Sequence, residues 1–261
     1  MLPEVDRVLF KNAPLRLVVG QVRFPLLLRF NEGPYIAPFQ DALASEYPVV
    51  AREQQVSFQV SPKGLQTGGE TLLRFSSRDG HWAVVLGEGA LTLEVRGYSS
   101  IDEFVARFEF VLKTTCEKLQ VRERARLGLR YINEFRHDRG RTLTDWSKLL
   151  NPELLGFAAT DLLGGTVEHM VQEVQFGRPD GVLAVRHGLL TGTAVEPAPN
   201  TMVAGGRFYL LDMDYFDARQ DALDIAGTIK ALRSYNDVMY RFFRWCLGSD
   251  LFKQLEPFNA R

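Results

Sequence analysis

The chain has 261 residues, of which 46% are hydrophobic and 24% charged, a globular composition with enough apolar mass for one large core or two ordinary ones. Its formal net charge of -1 gives no whole-molecule attraction to phosphate, so nucleic-acid affinity would need a local basic patch. No apolar run approaches the roughly 20 residues that cross a bilayer, and the start, Met-Leu-Pro-Glu-Val-Asp, lacks the basic and apolar regions of a signal peptide. A cytoplasmic protein without a membrane segment is expected.

In chain order, Leu15 to Phe24 alternates as a strand between Pro14 and Pro25. After the turn chemistry of Asn31-Glu32-Gly33-Pro34, the residues Ile36, Phe39, Gln40, Leu43 and Tyr47 recur at helical spacing until Pro48. Gln55 to Val60, Glu70 to Ser76 and His81 to Arg96 are alternating runs whose breaks, Pro62-Lys63-Gly64, Asp79-Gly80 and Glu88-Gly89, suit hairpins. Ser99-Ser100-Ile101-Asp102-Glu103 then supplies a cap and first-turn carboxylates for a helix with Phe104, Val105, Phe108, Val111, Leu112 and Leu119 on one side.

The second half repeats this order. Arg126 to Phe135 reads as a strand and Leu143 to Leu150 as a short helix ended by Asn151-Pro152. The strands Glu168 to Phe176, Gly181 to Leu190 and Arg207 to Phe216 follow, with a Gly/Pro-rich loop, Thr191 to Gly206, where mobility is expected. A last helix, Asp224 to Leu247, carries Ile225, Ile229, Leu232, Tyr235, Met239, Phe242 and Cys246 at spacings of three and four. The expected class is therefore α+β: two tandem modules, each a strand, a helix, an antiparallel meander and a long helix. Their bounds are 1–121 and 122–261, joined as one globular unit. In architecture this resembles a duplicated TATA-box-binding-protein-like saddle, and each module resembles a helix-grip fold; such resemblance transfers no function.

Several motifs also resemble a sporadically distributed, uncharacterised prokaryotic family of about this length. They are Asn12-Ala13-Pro14-Leu15 leading to Val22-Arg23-Phe24-Pro25, Phe39-Gln40-Asp41-Ala42 with Glu46-Tyr47-Pro48, Leu127-Gly128-Leu129-Arg130-Tyr131-Ile132-Asn133, Asn151-Pro152-Glu153-Leu154, and Tyr235-Asn236-Asp237-Val238 with Phe242-Phe243. The resemblance implies no catalytic residue, and its patchy occurrence implies conditional biology of the kind seen for mobile or defence-associated genes.

Few residues suggest chemistry. Asp212 and Asp214 alternate on one strand, so both carboxylates share a face and form a candidate divalent-metal pair, with Glu168 or Glu173 as a third ligand. The competing reading makes them the polar face of an amphipathic strand. Arg130, with Arg126 and Arg23, could grip an anionic group in a bidentate way, or Arg130 could simply pair with Asp212 or Asp214 across the sheet. Arg130, Tyr131, Asn133 and Arg126 are the positions expected to bind a ligand or brace the seam between modules. Arg241, Arg244 and Trp245 on the last helix are the candidate partner surface. His81, His137, His169 and His187 show no metal-ligand spacing, although His169 and His187 could face each other on adjacent strands. Cys116 and Cys246 read as core thiols. The preferred expectation is a non-catalytic binding or adaptor protein, without a cofactor, for a protein partner or a small anionic ligand. The alternatives are a metal-dependent enzyme using Asp212 and Asp214, and a nucleic-acid binder on a saddle-like sheet.

Overall fold

The computed structural model describes residues 2–61, 64–138, 140–160, 164, 166–196 and 205–259, with the side chains of 55–61, 64–68 and 159 outside that description. In chain order the elements are β1 (Leu9–Phe10), β2 (Leu15–Arg23), α1 (Gly33–Leu43), β3 (Val49–Ser61), β4 (Gly64–Ser76), β5 (Trp82–Gly87), β6 (Ala90–Val95), α2 (Ile101–Lys118), β7 (Glu123–Arg124), β8 (Arg126–Phe135) and α3 (Leu143–Leu149). Two 3₁₀ turns, Pro152–Leu154 and Gly156–Ala159, lead to β9 (Gln172–Arg178), β10 (Gly181–Thr191), β11 (Arg207–Asp217), β12 (Asp221–Ala222), α4 (Ile225–Cys246), α5 (Ser249–Gln254) and β13 (Pro257–Phe258).

The mixed α+β class is the one read from the sequence. Nine strands form a large antiparallel sheet in the order β3-β4-β5-β6-β2-β8-β11-β10-β9. In each sequence half, the first strand lies beside the last strand of its own meander, β2 beside β6 and β8 beside β11. The chain divides into two compact units, each drawing on both halves: Val18–Leu129 with Phe216–Arg233, and Met1–Leu17 with Arg130–Tyr215 and Ser234–Arg261. β2, β8, β11 and α4 each run from one unit into the other.

In the unit built on 18–129, the meander is longer than its alternation predicts. β3 and β4 pair from Val49↔Ser76 to Ser61↔Gly64, extending the first predicted run at both ends and the second at its start. The turn residues Pro62 and Lys63 lie outside the described residues. α2 starts where its cap predicts: the Ser100 hydroxyl accepts from the Glu103 amide at 3.2 Å, and Asp102 and Glu103 sit in the first turn, where the helix dipole favours carboxylates. Its apolar stripe, Phe104, Val105, Phe108, Val111 and Leu112, is buried. α2 lies close on β2 because residue 20 is a glycine; a Cβ there would sit 2.9 Å from the rings of Phe104 and Phe108. Both cysteines, Cys116 here and Cys246 in the other unit, are buried and unbridged, and burial raises both thiols above their ordinary range.

In the other unit, Ile132, Phe208 and Leu210 form a buried cluster with Leu17 and Leu190 against it. On a second set of contacts, Tyr215 stacks on Tyr235 at 4.2 Å and Phe135 on Phe243 at 6.0 Å, which joins β11 and β8 to the C-terminal part of α4. The predicted strand Glu168 to Phe176 begins later, at Gln172, and its register with β10 places Gln172 opposite His187. His169 therefore precedes the strand and does not oppose His187. Of the long loop from Thr191 to Gly206, residues 197–204, and with them the expected mobility, lie outside the described residues. No helix among the described residues is long and apolar enough to cross a membrane.

Candidate functional site

The residues singled out by sequence are largely engaged within the chain. Arg130 meets Asp212 with both ends of its fork, Nε donating to Oδ1 at 2.7 Å and Nη2 to Oδ2 at 2.5 Å. The hydrogen bonds that Arg130 donates to Asp212 stabilise the Arg130 charge and raise its pKa against the opposing effect of burial, and Asp214 adds to the favourable field. Asn133, buried, donates to the Leu211 carbonyl at 3.2 Å, and the Tyr131 hydroxyl accepts from Asn236 at 2.8 Å. These three positions brace one compact unit. Arg126 lies in the other, where its Nη1 donates to Gln21 Oε1 at 3.3 Å and its guanidinium covers the Phe216 ring at 4.6 Å. Arg23 donates to the same Gln21 oxygen at 3.3 Å, so Arg126 and Arg23 meet at one amide oxygen, while Arg130 is engaged apart from them with Asp212.

Asp212 is buried with Arg130 on both its oxygens, while Glu168 turns to Arg207 and Glu173 pairs in register with Arg186. Among the described residues, no group of three or more His, Cys, Asp or Glu is placed to hold a metal ion. On α4, Arg241 pairs with Asp237 at 2.9 Å, and Arg244 donates to the Asp6 carbonyl and to the Tyr240 hydroxyl, both at 3.1 Å, with its guanidinium 4.3 Å over Phe252. Trp245 packs against Phe242 at 5.6 Å. The N-terminal segment thus runs along the helix face expected to receive a partner. Arg7 donates to Asn236 at 2.6 Å, the Val8 amide donates to the Tyr240 hydroxyl at 2.8 Å, and Phe10 packs edge-on against Phe243 and Phe252.

A different feature is open. A cleft of about 440 Å³ lies in the same unit as Arg130, between the loop from His137 to Thr142, residues Thr166 and Glu168, and Arg207 at the start of β11. That volume falls within the few hundred Å³ typical of small-molecule sites. Its loop is fixed from below. The Gly140 amide donates to the His137 carbonyl at 2.9 Å, closing a turn, and the Gly140 carbonyl accepts from the Trp146 indole at 3.1 Å. Only glycine fits there, since a Cβ would come within 2.7 Å of the indole ring. Trp146 is itself fully buried and packs on Tyr209 at 5.5 Å, and Tyr209 hydrogen-bonds His187 at 2.8 Å. Burial lowers the His187 pKa and raises that of Tyr209, so both are neutral near pH 7.

The loop ends in a capping box. The Thr142 hydroxyl and amide donate to Asp145 at 2.8 and 2.9 Å, while the Asp145 amide donates back to Thr142. Those bonds hold the Asp145 carboxyl below its ordinary pKa. Also lining the cleft, Arg207 pairs with Glu168 and donates to the Arg141 carbonyl at 2.7 Å. The Arg141 guanidinium and the Asp138 carboxylate, both exposed, have no side-chain partner among the described residues. A guanidinium offered this way presents a planar fork to carboxylate or phosphate oxygens.

In the sequence, His137 stands out only as a lone histidine and Glu168 only as a third metal ligand, and nothing marks Arg141 or Arg207. Their positions, 137–142, 166–168 and 207, carry no common spacing. The legible signal is local: Thr142-Leu143-Thr144-Asp145 as a cap just after Gly140-Arg141. No family model matches the chain, and comparison with curated proteins finds no match either.

Proposed function

We propose that the protein is a binding protein that recognises a small ligand through an anionic group, held in the cleft at Arg141. The observation that carries this reading is a guanidinium with no side-chain partner among the described residues, on a loop anchored to the core by Gly140 and Trp146, facing a cavity large enough for a small molecule. Anchoring matters because a site held on a rigid support binds with less ordering cost than one on a loose loop. Of the two partner classes the sequence suggests, the anionic ligand is favoured over the protein, since the α4 face around Arg244 is engaged by the chain's own N-terminal segment. A non-catalytic role and a cytoplasmic setting belong to the same proposal. So does descent from a duplicated saddle-like module, which the order of β2 and β8 in the sheet supports.

The test is titration of the full chain with inorganic phosphate and with acetate by calorimetry, at low and at moderate salt. Binding that weakens with salt and disappears in Arg141→Gln, with the thermal midpoint unchanged, supports the reading. Equal binding by wild type and Arg141→Gln overturns it.

A further inference from the structure

We propose that the ligand of this cleft is a small zwitterion, with its anionic group on Arg141 and its cationic group on Asp138. This inference rests on the reading of Arg141 as an anion site and adds the second half of the ligand.

The argument is one of charge balance. The described lining sets Asp138 and Glu168 against Arg141 and Arg207, two charges of each sign. Glu168 and Arg207 answer one another directly, and Arg207 is further fixed on the Arg141 carbonyl. Among the described residues, what the cleft offers to a ligand is therefore one charge of each sign, Arg141 and Asp138, each without a side-chain partner there. A simple anion on Arg141 would bring its charge beside the Asp138 carboxylate, and covering that carboxylate without answering it costs free energy. A simple cation meets the same problem at Arg141. A molecule carrying both charges satisfies both residues and leaves no unpaired charge as water is displaced.

The spacing limits the ligand. Asp138 and Arg141 are three residues apart, at most roughly 10 Å between their α-carbons in an extended chain. The Gly140 amide to His137 carbonyl bond of 2.9 Å makes the segment a turn, which brings them closer than that. The two side chains add their own reach to that span, so the linker is read from a series of graded length, from an amino acid through ω-amino acids to an aminoalkyl phosphate. Thr166, whose hydroxyl donates to Glu168 at 3.5 Å, also lines the cleft and adds a hydroxyl for the ligand's polar middle.

The experiment is calorimetric titration of the full chain with matched sets: acetate, ethylammonium, β-alanine, 4-aminobutyrate and 5-aminopentanoate, and inorganic phosphate beside phosphoethanolamine. Wild type, Arg141→Gln and Asp138→Asn are compared after their thermal midpoints are shown to agree. The expected result is at least one zwitterion bound tenfold or more tightly than its anionic half alone. Asp138→Asn should bring that zwitterion down to the affinity of the anion while leaving the anion itself unchanged or tighter. Arg141→Gln should abolish both. If anion and zwitterion bind wild type equally, or if Asp138→Asn leaves zwitterion binding intact, the zwitterion inference fails and the anion reading stands. If none of these probes binds, both fail.

Discussion

Within one compact unit, Arg130 and Arg141 put the same side chain to opposite uses. Arg130 gives both ends of its fork to Asp212, a buried carboxylate on the neighbouring strand, whereas the Arg141 guanidinium faces a cleft without a side-chain partner among the described residues. The partner, not the residue type, separates the two. An arginine answered by a buried carboxylate is held by the cost of leaving that carboxylate alone, so it serves the fold. An arginine answered by nothing contributes little to stability and keeps its hydrogen-bonding capacity for a ligand. The neighbourhoods differ in the same sense: Arg130 sits on a strand inside the sheet, and Arg141 on a loop whose rigidity comes from Trp146 beneath it.

The largest expected effect tests whether the cleft depends on that support. Trp146→Ala removes a fully buried indole that contacts both Gly140 and Tyr209, and a loss of about 3–5 kcal/mol in urea unfolding is expected for truncating such a side chain. Trp146→Phe keeps most of the apolar contact and deletes the bond to the Gly140 carbonyl, and should cost about 1 kcal/mol. If the two variants unfold alike, the hydrogen bond rather than the packing holds the loop.

The next effect concerns the paired arginine. Arg130→Ala strands the Asp212 carboxylate; a fully buried pair would lose about 3–5 kcal/mol, but the Arg130 side chain is 45% exposed, so solvent screening reduces the expectation to about 1–3 kcal/mol. A double-mutant cycle with Asp212→Ala should recover part of that loss, because the stranded charge is then absent. Strict additivity would mean that the pair does not couple and that Arg130 is held by its strand alone.

A smaller, pH-dependent effect probes the layer beneath the cleft. Burial lowers the His187 pKa below its ordinary 6.5, so the unfolded chain takes up a proton that the folded chain resists. The stability contributed by His187 is complete above pH 6.5 and is lost as the pH falls from there toward the folded pKa. Wild type should therefore show a falling urea midpoint between pH 7.5 and pH 5, with a shallower slope in His187→Gln. Equal slopes would show that protonation of His187 does not limit the fold in acid.

How far the sequence reaches follows from the same residues. The α2 cap and the hairpin breaks at Asp79-Gly80 and Glu88-Gly89 are local signals, and local chemistry decides them. The partner of Arg130 is legible as one of two, because Asp212 and Asp214 share a face and only the register between strands selects Asp212. Two-residue pairings such as Leu9↔Phe258 are too short to have a period, and the N-terminal segment along α4 follows from tertiary contacts. The cleft is hidden for a related reason. Its wall joins a loop, an irregular stretch before β9 and the first residue of β11, and nothing in their spacing announces that they meet.

The smallest effect on stability is the one that decides the comparison. Arg141→Gln removes a charge that supports no ion pair among the described residues, while the Arg141 amide keeps its bond to Asp145 and the Arg141 carbonyl keeps the one from Arg207. An exposed substitution of this kind is expected to change the unfolding free energy by no more than about 0.5 kcal/mol. Anion binding should nevertheless disappear, because glutamine offers one amide donor group in place of a charged fork. Arg130→Ala should show the reverse, a clear loss of stability with cleft affinity retained once the folded fraction is matched. A stability loss in Arg141→Gln as large as that of Arg130→Ala would mean that Arg141 has a structural partner too, and the distinction between the two arginines would collapse.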